Sequence, residues 1–471
     1  MNLRTTSQLL PHQKEAVAKL SGTRIGALFM EMGTGKTRTT IELVSLRQER
    51  IDRCVWFCPV SLKTTIAAEI RKHTNAVDSD IHVFDHRTSK RDMPDAQWYV
   101  IGIESMSKSM RIIFAASALI TEKTFVVVDE SSYIKGYSSL RTRRLTALAE
   151  QAQYRLILTG TPISQGVVDL FAQMRFLSPK ILGYRSFFSF AANHLEYSKK
   201  YPGMIVRSHN LDYLAAKIKP YVYQVTKKEC LTLPPKLHES YYFDMTGRQT
   251  EAYDRAKCEL LMDIPDEEVT SWVIFKLFSA LQSITCGFWN RRTPEGIVEE
   301  RYPHGRIKLL MDVVNRIPKD EKVIVWAKYH YDIEGIVLDL ENRWGPGSCA
   351  VYTGKKSERE RVEEISKFRN DARFFVATPS AGGHGLTLNE AHHVVFYNNG
   401  FKFSERLQAE DRCHRIGQGC PVTYVDILCS GSIDERIKEA LDAKENVVDR
   451  FKRELDMVKR SGIRKRLLEI L

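Results

Sequence analysis

The 471-residue sequence lacks several features that would place it in a specialised class of proteins. Its nine cysteines are scattered, and no CxxC pair provides the spacing of a zinc site. The N-terminal residues contain no apolar core of signal-peptide length, and no apolar run is long enough to cross a bilayer. These absences argue against a disulfide-rich secreted protein, a zinc-binding module and a membrane protein. We therefore expect a protein of the reducing cell interior.

The chain is long enough for two to four domains, each with its own hydrophobic core. Its hydrophobic content of 43% is ordinary for a folded globular protein. The 70 lysines and arginines exceed the 58 acidic residues and give a net charge of +12. Such a surplus favours a polyanionic partner such as nucleic acid, although many basic proteins bind none.

Apolar strands alternate with helix-like runs twice along the chain, which predicts an α/β fold with parallel sheets. Residues 167–219 between the two series are helical and aromatic-rich in pattern, and helices are also expected at Thr246–Leu261 and Glu267–Thr285. The expected strands are Ile25–Met30, Cys54–Cys58, Ile81–Phe84, Trp98–Ile103, Phe125–Val128, Tyr154–Leu158, Lys322–Ala327, Cys349–Tyr352, Arg373–Ala377, His393–Tyr397 and Thr423–Leu428.

A strand, a glycine loop and a helix follow one another at Ile25–Gln48. In that context Gly33 and Gly35 let backbone N–H groups turn around a phosphate, because no Cβ obstructs the approach. Lys36 would contact the β- and γ-phosphates, and the Thr37 hydroxyl would help to hold Mg²⁺. On its own the pattern is equally consistent with a plain strand–turn–helix.

Two acidic residues, Asp129 and Glu130, follow the apolar strand Phe125–Val128. Ligands bind at the carboxyl ends of parallel strands, so these carboxylates would lie near the phosphate loop. Asp129 would hold Mg²⁺, and Glu130 would orient and deprotonate the attacking water. An isolated Asp-Glu pair after a strand is more often a turn. Similarly, Gln13 could bind both hydrogen-bonding edges of adenine or could be an ordinary surface glutamine.

Seven stretches occur in a fixed order: LLPHQ (9–13), MGTGKT (32–37), FCPVSLKTTIAAEI (57–70), VVVDESSYIK (126–135), LILTGTPI (156–163), ATPSAGGHGLTL (377–388) and QAEDRCHRIGQ (408–418). Together they resemble the superfamily 2 helicase-type ATPases, specifically the SWI/SNF-type branch of DNA translocases. The QAEDR wording resembles the annealing-helicase subgroup. DESS (129–132) and GLTL (385–388) depart from the commoner wording and indicate a divergent, minimal member, whereas a residue other than glycine at the position of Met30 is common in this branch.

The resemblance implies two tandem RecA-like, doubly wound parallel-sheet domains with helical insertions between them. The first domain would span residues 1–230, with a helical protrusion at about 167–230. The second would span residues 231–471, with a protrusion at about 245–305 and a C-terminal helix.

The resemblance also implies that the cofactors are ATP and Mg²⁺ and assigns the residues that handle them. The nucleotide-binding residues would be Gln13, Gly33, Thr34, Gly35, Lys36, Thr37, Gly385 and Gln408, with Thr37 and Asp129 as Mg²⁺ ligands. Arg412 and Arg415 would be arginine fingers in catalysis beside Lys36, Asp129 and Glu130. On a continuous helix, positions 408, 412 and 415 would share one face; without the family, a solvated basic face is the alternative.

For DNA, the resemblance implies loops that follow the phosphates of one strand without reading sequence. The implied contacts are Lys63, Ser105, Gly160, Thr161, Ser380, Gly382, Gly383 and Thr387. Ser105 and Ser380 could instead cap helices. The basic run 450–466 could add nonspecific affinity, or it could be an amphipathic helix packed on the core.

Four functions remain open at this point: a translocase on duplex DNA, a strand-separating, branch-migrating or annealing helicase, an RNA-directed ATPase, and a scaffold with a decayed ATPase. The intact motif residues argue against the last. The motifs favour a monomeric, DNA-stimulated ATP hydrolase that binds double-stranded or branched DNA and no membrane. Since no accessory module is recognisable, we expect a cytoplasmic protein of a bacterial or viral system, with a nuclear location as the alternative.

Overall fold

The computed structural model describes residues 1, 3–163, 166–197, 205–262, 271–293, 296–382, 386–447 and 450. The chain divides into two compact units, the first ending at Thr232 and the second beginning at Leu233. Each unit is built on a parallel β-sheet with helices on both faces. Within the described ranges, every helix is too short or too polar to cross a bilayer.

The elements of the first unit are α1 (Pro11–Ser21), β1 (Ile25–Met30), α2 (Lys36–Ser45), β2 (Arg53–Cys58), α3 (Lys63–His73), β3 (Ile81–Val83), β4 (Trp98–Gly102), α4 (Ser105–Lys108), α5 (Met110–Leu119), β5 (Thr124–Val128), α6 (Leu140–Ala149), β6 (Tyr154–Leu158), α7 (Val168–Leu177), α8 (Pro179–Leu182), α9 (Phe187–His194), β7 (Leu195–Tyr197), β8 (Ile205–Ser208), α10 (Leu211–Ile218), β9 (Val222–Val225) and α11 (Lys227–Cys230).

The elements of the second unit are β10 (Lys236–Phe243), α12 (Gly247–Met262), α13 (Ser271–Thr285), β11 (Phe288–Thr293), β12 (Gly296–Arg301), α14 (Arg306–Arg316), β13 (Lys322–Trp326), α15 (His330–Trp344), β14 (Cys349–Tyr352), α16 (Glu358–Asn370), β15 (Phe374–Ala377), α17 (Pro379–Gly382), β16 (Ala391–Phe396), α18 (Phe403–Glu410), β17 (Val422–Cys429) and α19 (Ile433–Asp442).

The first sheet has the strand order β3-β4-β2-β5-β6-β1-β9, and its neighbouring strands are parallel. Side chains alternate between its two faces. On β5, Val126 and Val128 pack into a core shared with α5, α6 and α7, whereas Phe125 and Val127 pack into a core shared with α1, α2 and α3. Both faces are therefore covered, which explains why these strands are apolar without alternation.

The second sheet has the order β10-β17-β16-β13-β15-β14 and is also parallel. Helices α14 and α15 share a core with one face, and α16 and α18 contribute to the core on the other. A third cluster joins α12 and α13 to α19 and Trp289. The predicted α/β class with parallel sheets is confirmed in both units.

The stretches expected to be helical protrusions also contain strands, which corrects the sequence-based description. Within 167–230, β7 and β8 form an antiparallel hairpin, and β9 pairs with β1 at the edge of the first sheet. Within 245–305, β11 and β12 form a second hairpin. These strands are short or largely exposed, so they lack an apolar run. The predicted C-terminal helix at 450–466 lies, apart from residue 450, outside the described residues.

A buried arginine joins several elements of the second unit. The Arg306 guanidinium pairs with the Asp434 carboxylate and donates to the carbonyls of Tyr397 at 2.6 Å and Ile427 at 2.9 Å. It also donates to the Thr285 hydroxyl at 2.9 Å. Burial lowers the pKa of Arg306, but the Asp434 charge, the neighbouring Cys286 and Tyr397 and the hydrogen bond to Asp434 together outweigh burial, and the pKa is raised. The ends of α13, β16 and β17 and the start of α19 thus share one buried cation.

Replacing this cation should destabilise the second unit strongly. Arg306→Met leaves the buried Asp434 carboxylate without its counter-charge, and breaking a buried pair in this way costs about 3–5 kcal/mol. Urea unfolding would measure the loss. As a control, Arg436→Met removes the exposed pair with Glu439, at 3.5 Å, and should cost less than about 1 kcal/mol. Equal losses in the two variants would contradict the role given to Arg306.

Candidate functional site

Three loops meet at the carboxyl edge of the first sheet because the strands before them are adjacent and parallel. Strand β6 lies between β5 and β1, with Ile157 opposite Val128 and Leu158 opposite Leu28. The strands β1, β5 and β6 therefore end at a similar height and lead into the loops 31–35, 129–132 and 159–162. The sheet brings the predicted phosphate loop, the acid pair and the TGTP stretch to one edge.

The loop before α2 requires glycine for two separate reasons. Gly33 has φ 77° and Gly35 has φ 86°, which is the left-handed region that favours glycine. A Cβ at Gly35 would also lie 2.1 Å from Gln13 Nε2. Thr34 is fully buried and its hydroxyl donates to the Glu31 carbonyl at 2.7 Å. The loop thus delivers backbone N–H groups and the N-terminus of α2 to one place, an arrangement suited to an anion.

Gln13 of α1 is hydrogen-bonded to this loop. Its Nε2 donates to the Thr34 carbonyl at 3.2 Å, and its Oε1 accepts from the Leu10 backbone N–H at 3.0 Å. The side chain of Gln13 is buried. To bind adenine, the Gln13 amide would have to give up these two hydrogen bonds, so adenine binding by Gln13 stays a prediction. The structure itself shows Gln13 bonded to the phosphate loop.

Lys36 begins α2 and reaches back across the loop. Its Nζ donates to the carbonyl oxygens of Met30 at 3.0 Å and Glu31 at 3.5 Å. Phosphate oxygens would replace these neutral acceptors with charged ones, which form stronger hydrogen bonds with an ammonium group. Thr37 follows on the first turn of the helix and is half-buried.

Both carboxylates of the acid pair that follows β5 are buried. Burial first, and then the negative charge of Glu130, raise the pKa of Asp129 to about 7, although Lys36 acts in the opposite direction. A divalent cation would relieve this repulsion. Mg²⁺ commonly takes only one or two protein carboxylates and completes its shell with water and phosphate oxygens. The donor set of Asp129 with the Thr37 hydroxyl therefore fits Mg²⁺.

Glu130 has a strained backbone. Its φ of 49° places a glutamate in the left-handed region, a conformation that costs roughly 1–3 kcal/mol for residues other than glycine. The turn is held by bonds on both sides: Glu130 N–H donates to Asp129 Oδ1 at 2.9 Å, and its carbonyl accepts from Tyr133 N–H at 2.9 Å. Such strain often marks functional positions.

The TGTP loop packs directly on the phosphate loop. A Cβ at Gly160 would lie 3.3 Å from the Met32 backbone nitrogen and 3.5 Å from the Met30 carbonyl oxygen. The Thr161 N–H donates to the Thr159 hydroxyl at 3.1 Å, which shapes the turn. This contact leaves Gly160 and Thr161, two predicted DNA contacts, beside the predicted nucleotide site.

The other predicted DNA contacts of the first unit follow neighbouring strands at the same edge. Lys63 begins α3 after β2, and its Nζ donates to the Phe84 carbonyl at 2.7 Å. Ser105 begins α4 after β4. Both residues are half-buried, and their contact with DNA stays a prediction.

In the second unit, Arg412 and Arg415 converge on a single acceptor. Their guanidinium groups donate to the Leu386 carbonyl at 3.3 Å and 3.2 Å. Arg412 Nε also donates to the Gln408 carbonyl at 2.9 Å. The structure thus places these three predicted residues together.

The expectation of one continuous helix through 408, 412 and 415 is wrong. Helix α18 ends at Glu410, and the following residues form turns. After Glu410 the bonding changes: Arg412 N–H donates to the Ala409 carbonyl, three residues back, at 3.3 Å. The Arg412 carbonyl then accepts from Leu388 N–H at 3.0 Å, so the backbone bonds to the segment before β16 instead of continuing the helix.

Sequence reasoning missed the residues that fix α18 in place. Arg406 is buried and donates to Glu410 at 2.8 Å and to Asp426 of β17 at 3.1 Å. Lys236 of β10 bonds to the same Glu410 at 2.9 Å. The local sequence offers one signal of these bonds: Arg406 lies two positions before the QAEDR stretch, and the acidic Glu410 follows it four positions later.

The remaining predicted residues of the second unit are only partly described. Ser380 is exposed on the short helix α17, and Gly382 is its last residue. The Thr387 carbonyl accepts from Arg369 at 3.3 Å. Gly383 and Gly385 lie outside the described residues. Among the described residues, no group of three or more His, Cys, Asp or Glu side chains is arranged to hold a metal.

Comparison with known proteins found related sequences over nearly the whole chain. A human DNA annealing helicase and endonuclease, ZRANB3, is 26% identical over 462 residues, which covers 94% of this chain and 40% of the relative. An uncharacterized ATP-dependent helicase of Mycoplasma genitalium is 26% identical over 336 residues, covering 70% of this chain and 31% of the relative. The chain thus spans less than half the length of these relatives.

A solved structure, the Sulfolobus solfataricus SWI2/SNF2 ATPase core in complex with dsDNA, is 22% identical with a TM-score of 0.42 and covers 98% of this chain and 97% of its own. Two family models match the sequence: the SNF2-related domain over residues 12–286 and the helicase conserved C-terminal domain over residues 305–417. The first spans more than half of the chain and contains the phosphate loop, the acid pair and the TGTP loop. The chain therefore belongs to the SNF2-related family of helicase-type, ATP-hydrolysing enzymes.

Proposed function

We propose that the chain uses ATP hydrolysis to move along double-stranded DNA without reading its sequence. The observation that carries the proposal is the shared edge of the first sheet, where β1, β6 and β5 present a phosphate loop, the TGTP loop and an acid pair side by side. A nucleotide triphosphate and a nucleic-acid backbone could be contacted there by adjacent loops.

The chemistry follows from the residues at that edge. Lys36 and the loop N–H groups would hold the phosphates, and Asp129 with Thr37 would hold Mg²⁺. Bound Mg²⁺ would neutralise phosphate charge. Glu130 would accept a proton from the water that attacks the γ-phosphorus, while the bond to the ADP oxygen breaks. The strained turn fixes the Glu130 backbone directly after the end of β5.

The DNA part of the proposal rests on charge, loop chemistry and relatives. The net charge of +12 suits a polyanion. Gly160 and Thr161 offer backbone and hydroxyl groups that contact phosphates without base recognition. A second candidate is annealing or branch migration on forked DNA, favoured by similarity over 94% of this chain to the human protein named an annealing helicase. Triplex displacement measured beside strand displacement separates the two.

Removing the phosphate-facing cation or the base should stop turnover at different steps. Lys36→Ala should abolish hydrolysis and weaken ATP binding, because the loop loses its ammonium group. Glu130→Gln should bind ATP normally but turn over about 10²–10⁴-fold more slowly, since only the proton acceptor is lost. Steady-state ATPase rates and fluorescent-nucleotide titration would measure both, with the exposed residues Lys14→Ala and Glu122→Gln as controls. Wild-type turnover in Glu130→Gln would assign water activation elsewhere.

Duplex DNA of any sequence should stimulate ATP hydrolysis. Because the proposed contacts go to phosphates, the logarithm of the binding constant should fall linearly with the logarithm of salt concentration, with a slope of roughly −0.9 per phosphate neutralised. Fluorescence anisotropy with two unrelated duplexes over a salt series is the measurement. Affinity restricted to one sequence, or insensitive to salt, would contradict phosphate tracking, and stimulation by RNA alone would favour an RNA-directed ATPase.

The paired arginines should act on hydrolysis rather than on DNA affinity. An arginine that stabilises the transition state is typically worth about 10³–10⁵ in rate. Arg415→Ala should therefore lose nearly all DNA-stimulated turnover and keep most DNA binding, and Arg412→Ala should behave similarly. Arg359→Ala, at a side chain 91% exposed on α16, is the control. Normal hydrolysis with lost DNA affinity in Arg415→Ala would make 408–418 a DNA-binding surface instead.

A further inference from the structure

One glutamine of α7 is buried among apolar side chains with its whole amide bonded. Gln173 is fully buried, and its neighbours on the helix, Phe171, Met174 and Phe176, belong to the core. Its Nε2 donates to the carbonyl of Pro162 at 2.8 Å and to the carbonyl of Asp169 at 2.8 Å. Since both acceptors are carbonyls, the orientation of the amide is fixed: the nitrogen faces them and the oxygen faces away.

The Gln173 oxygen accepts from the Ser131 hydroxyl at 2.6 Å, and Ser131 is also fully buried. Ser131 directly follows Glu130, and Pro162 directly follows Thr161. A single side chain therefore joins the turn that holds the general base to the TGTP loop. The helix that supplies Gln173 takes no part in either loop.

Packing alone does not require an amide here. A methionine would fill a similar volume without placing polar atoms in an apolar core, and buried polar groups are unfavourable unless they are fully bonded. Because hydrogen bonds depend steeply on distance and angle, a shift of the Pro162 carbonyl must break a bond or move Gln173, and with it Ser131. The strained turn at Glu130 gives such a shift a direct route to the general base.

We propose that Gln173 is a positioning residue that couples contact at the TGTP loop to the placement of Glu130. This inference rests on the proposed function, in which DNA phosphates contact Gly160 and Thr161. When the loop is held by DNA, the bonds from Pro162 to Gln173 and from Gln173 to Ser131 hold Glu130 in its hydrolytic orientation. Gln173 itself touches neither ATP nor DNA.

The test compares the stimulation ratio, meaning ATP turnover with duplex DNA divided by turnover without it. The variants are Gln173→Met, Ser131→Ala and the double substitution. The ratio does not depend on the fraction of active enzyme, so a merely structural defect lowers both rates and leaves it unchanged. Ser131→Ala removes one hydroxyl and is the milder variant if Gln173→Met folds poorly; thermal unfolding of each variant shows whether it folds.

Gln249→Met is the matched control. Gln249 is a fully buried glutamine of the second unit whose Nε2 donates to the Ile284 carbonyl at 2.8 Å. The control variant therefore loses a buried amide and its hydrogen bonds, but at a position far along the chain from the acid pair. Its stimulation ratio should therefore equal that of the wild type.

We expect Gln173→Met to lower the stimulation ratio about tenfold, as the loss of one or two buried hydrogen bonds allows. Ser131→Ala should lower it similarly, the double variant should be no worse than the single ones, and KM for ATP should stay near the wild-type value. Unchanged ratios in both single variants, or effects that multiply in the double variant, would overturn the coupling role. A wild-type chain that duplex DNA does not stimulate would overturn the proposed function, and this inference with it.

Discussion

Parallel hydrogen bonding between β5, β6 and β1 is the constraint on which the candidate site depends. It fixes the ends of three strands at similar heights, so that loops far apart in sequence share one edge. Further contacts connect these loops: Gly160 packs against the phosphate loop, and Gln173 is hydrogen-bonded to both Ser131 and Pro162. In the second unit a parallel sheet again fixes the strand ends, and a buried Arg306 holds the elements around them.

Much of this architecture is predictable because its signals are local. Strands covered on both faces are apolar without interruption, so Phe125–Val128 and Tyr154–Leu158 are recognisable from sequence, and glycines at 33 and 35 follow from backbone conformations that other residues rarely adopt. The two parallel sheets and the family are confirmed. The roles of the individual site residues stay predictions, although the structure places those of the first unit at one edge.

What the sequence does not reveal depends on partners far away in the chain. Strand β10 is largely exposed and contains the consecutive polar residues His238, Glu239 and Ser240, so its pairing with β17 and not its sequence pattern identifies it. Helix α18 ends at Glu410, and two residues later the Arg412 carbonyl bonds to Leu388 in the segment before β16. The Gln173 amide bonds to Pro162 and Ser131, which lie 11 and 42 residues away in the sequence. In the local sequence, these bonds are indicated only by a glutamine among the apolar residues of α7.

The left-handed backbone at Glu130 sets folding stability against activity at a single position. Glycine would adopt φ 49° without steric cost, so the residue most favourable for folding at this turn lacks the carboxylate that we propose activates water. Selection for stability alone would therefore favour replacement of Glu130, with the fold unchanged. If the proposed role of Glu130 is correct, a chain that no longer hydrolyses ATP would be expected to lose this glutamate early.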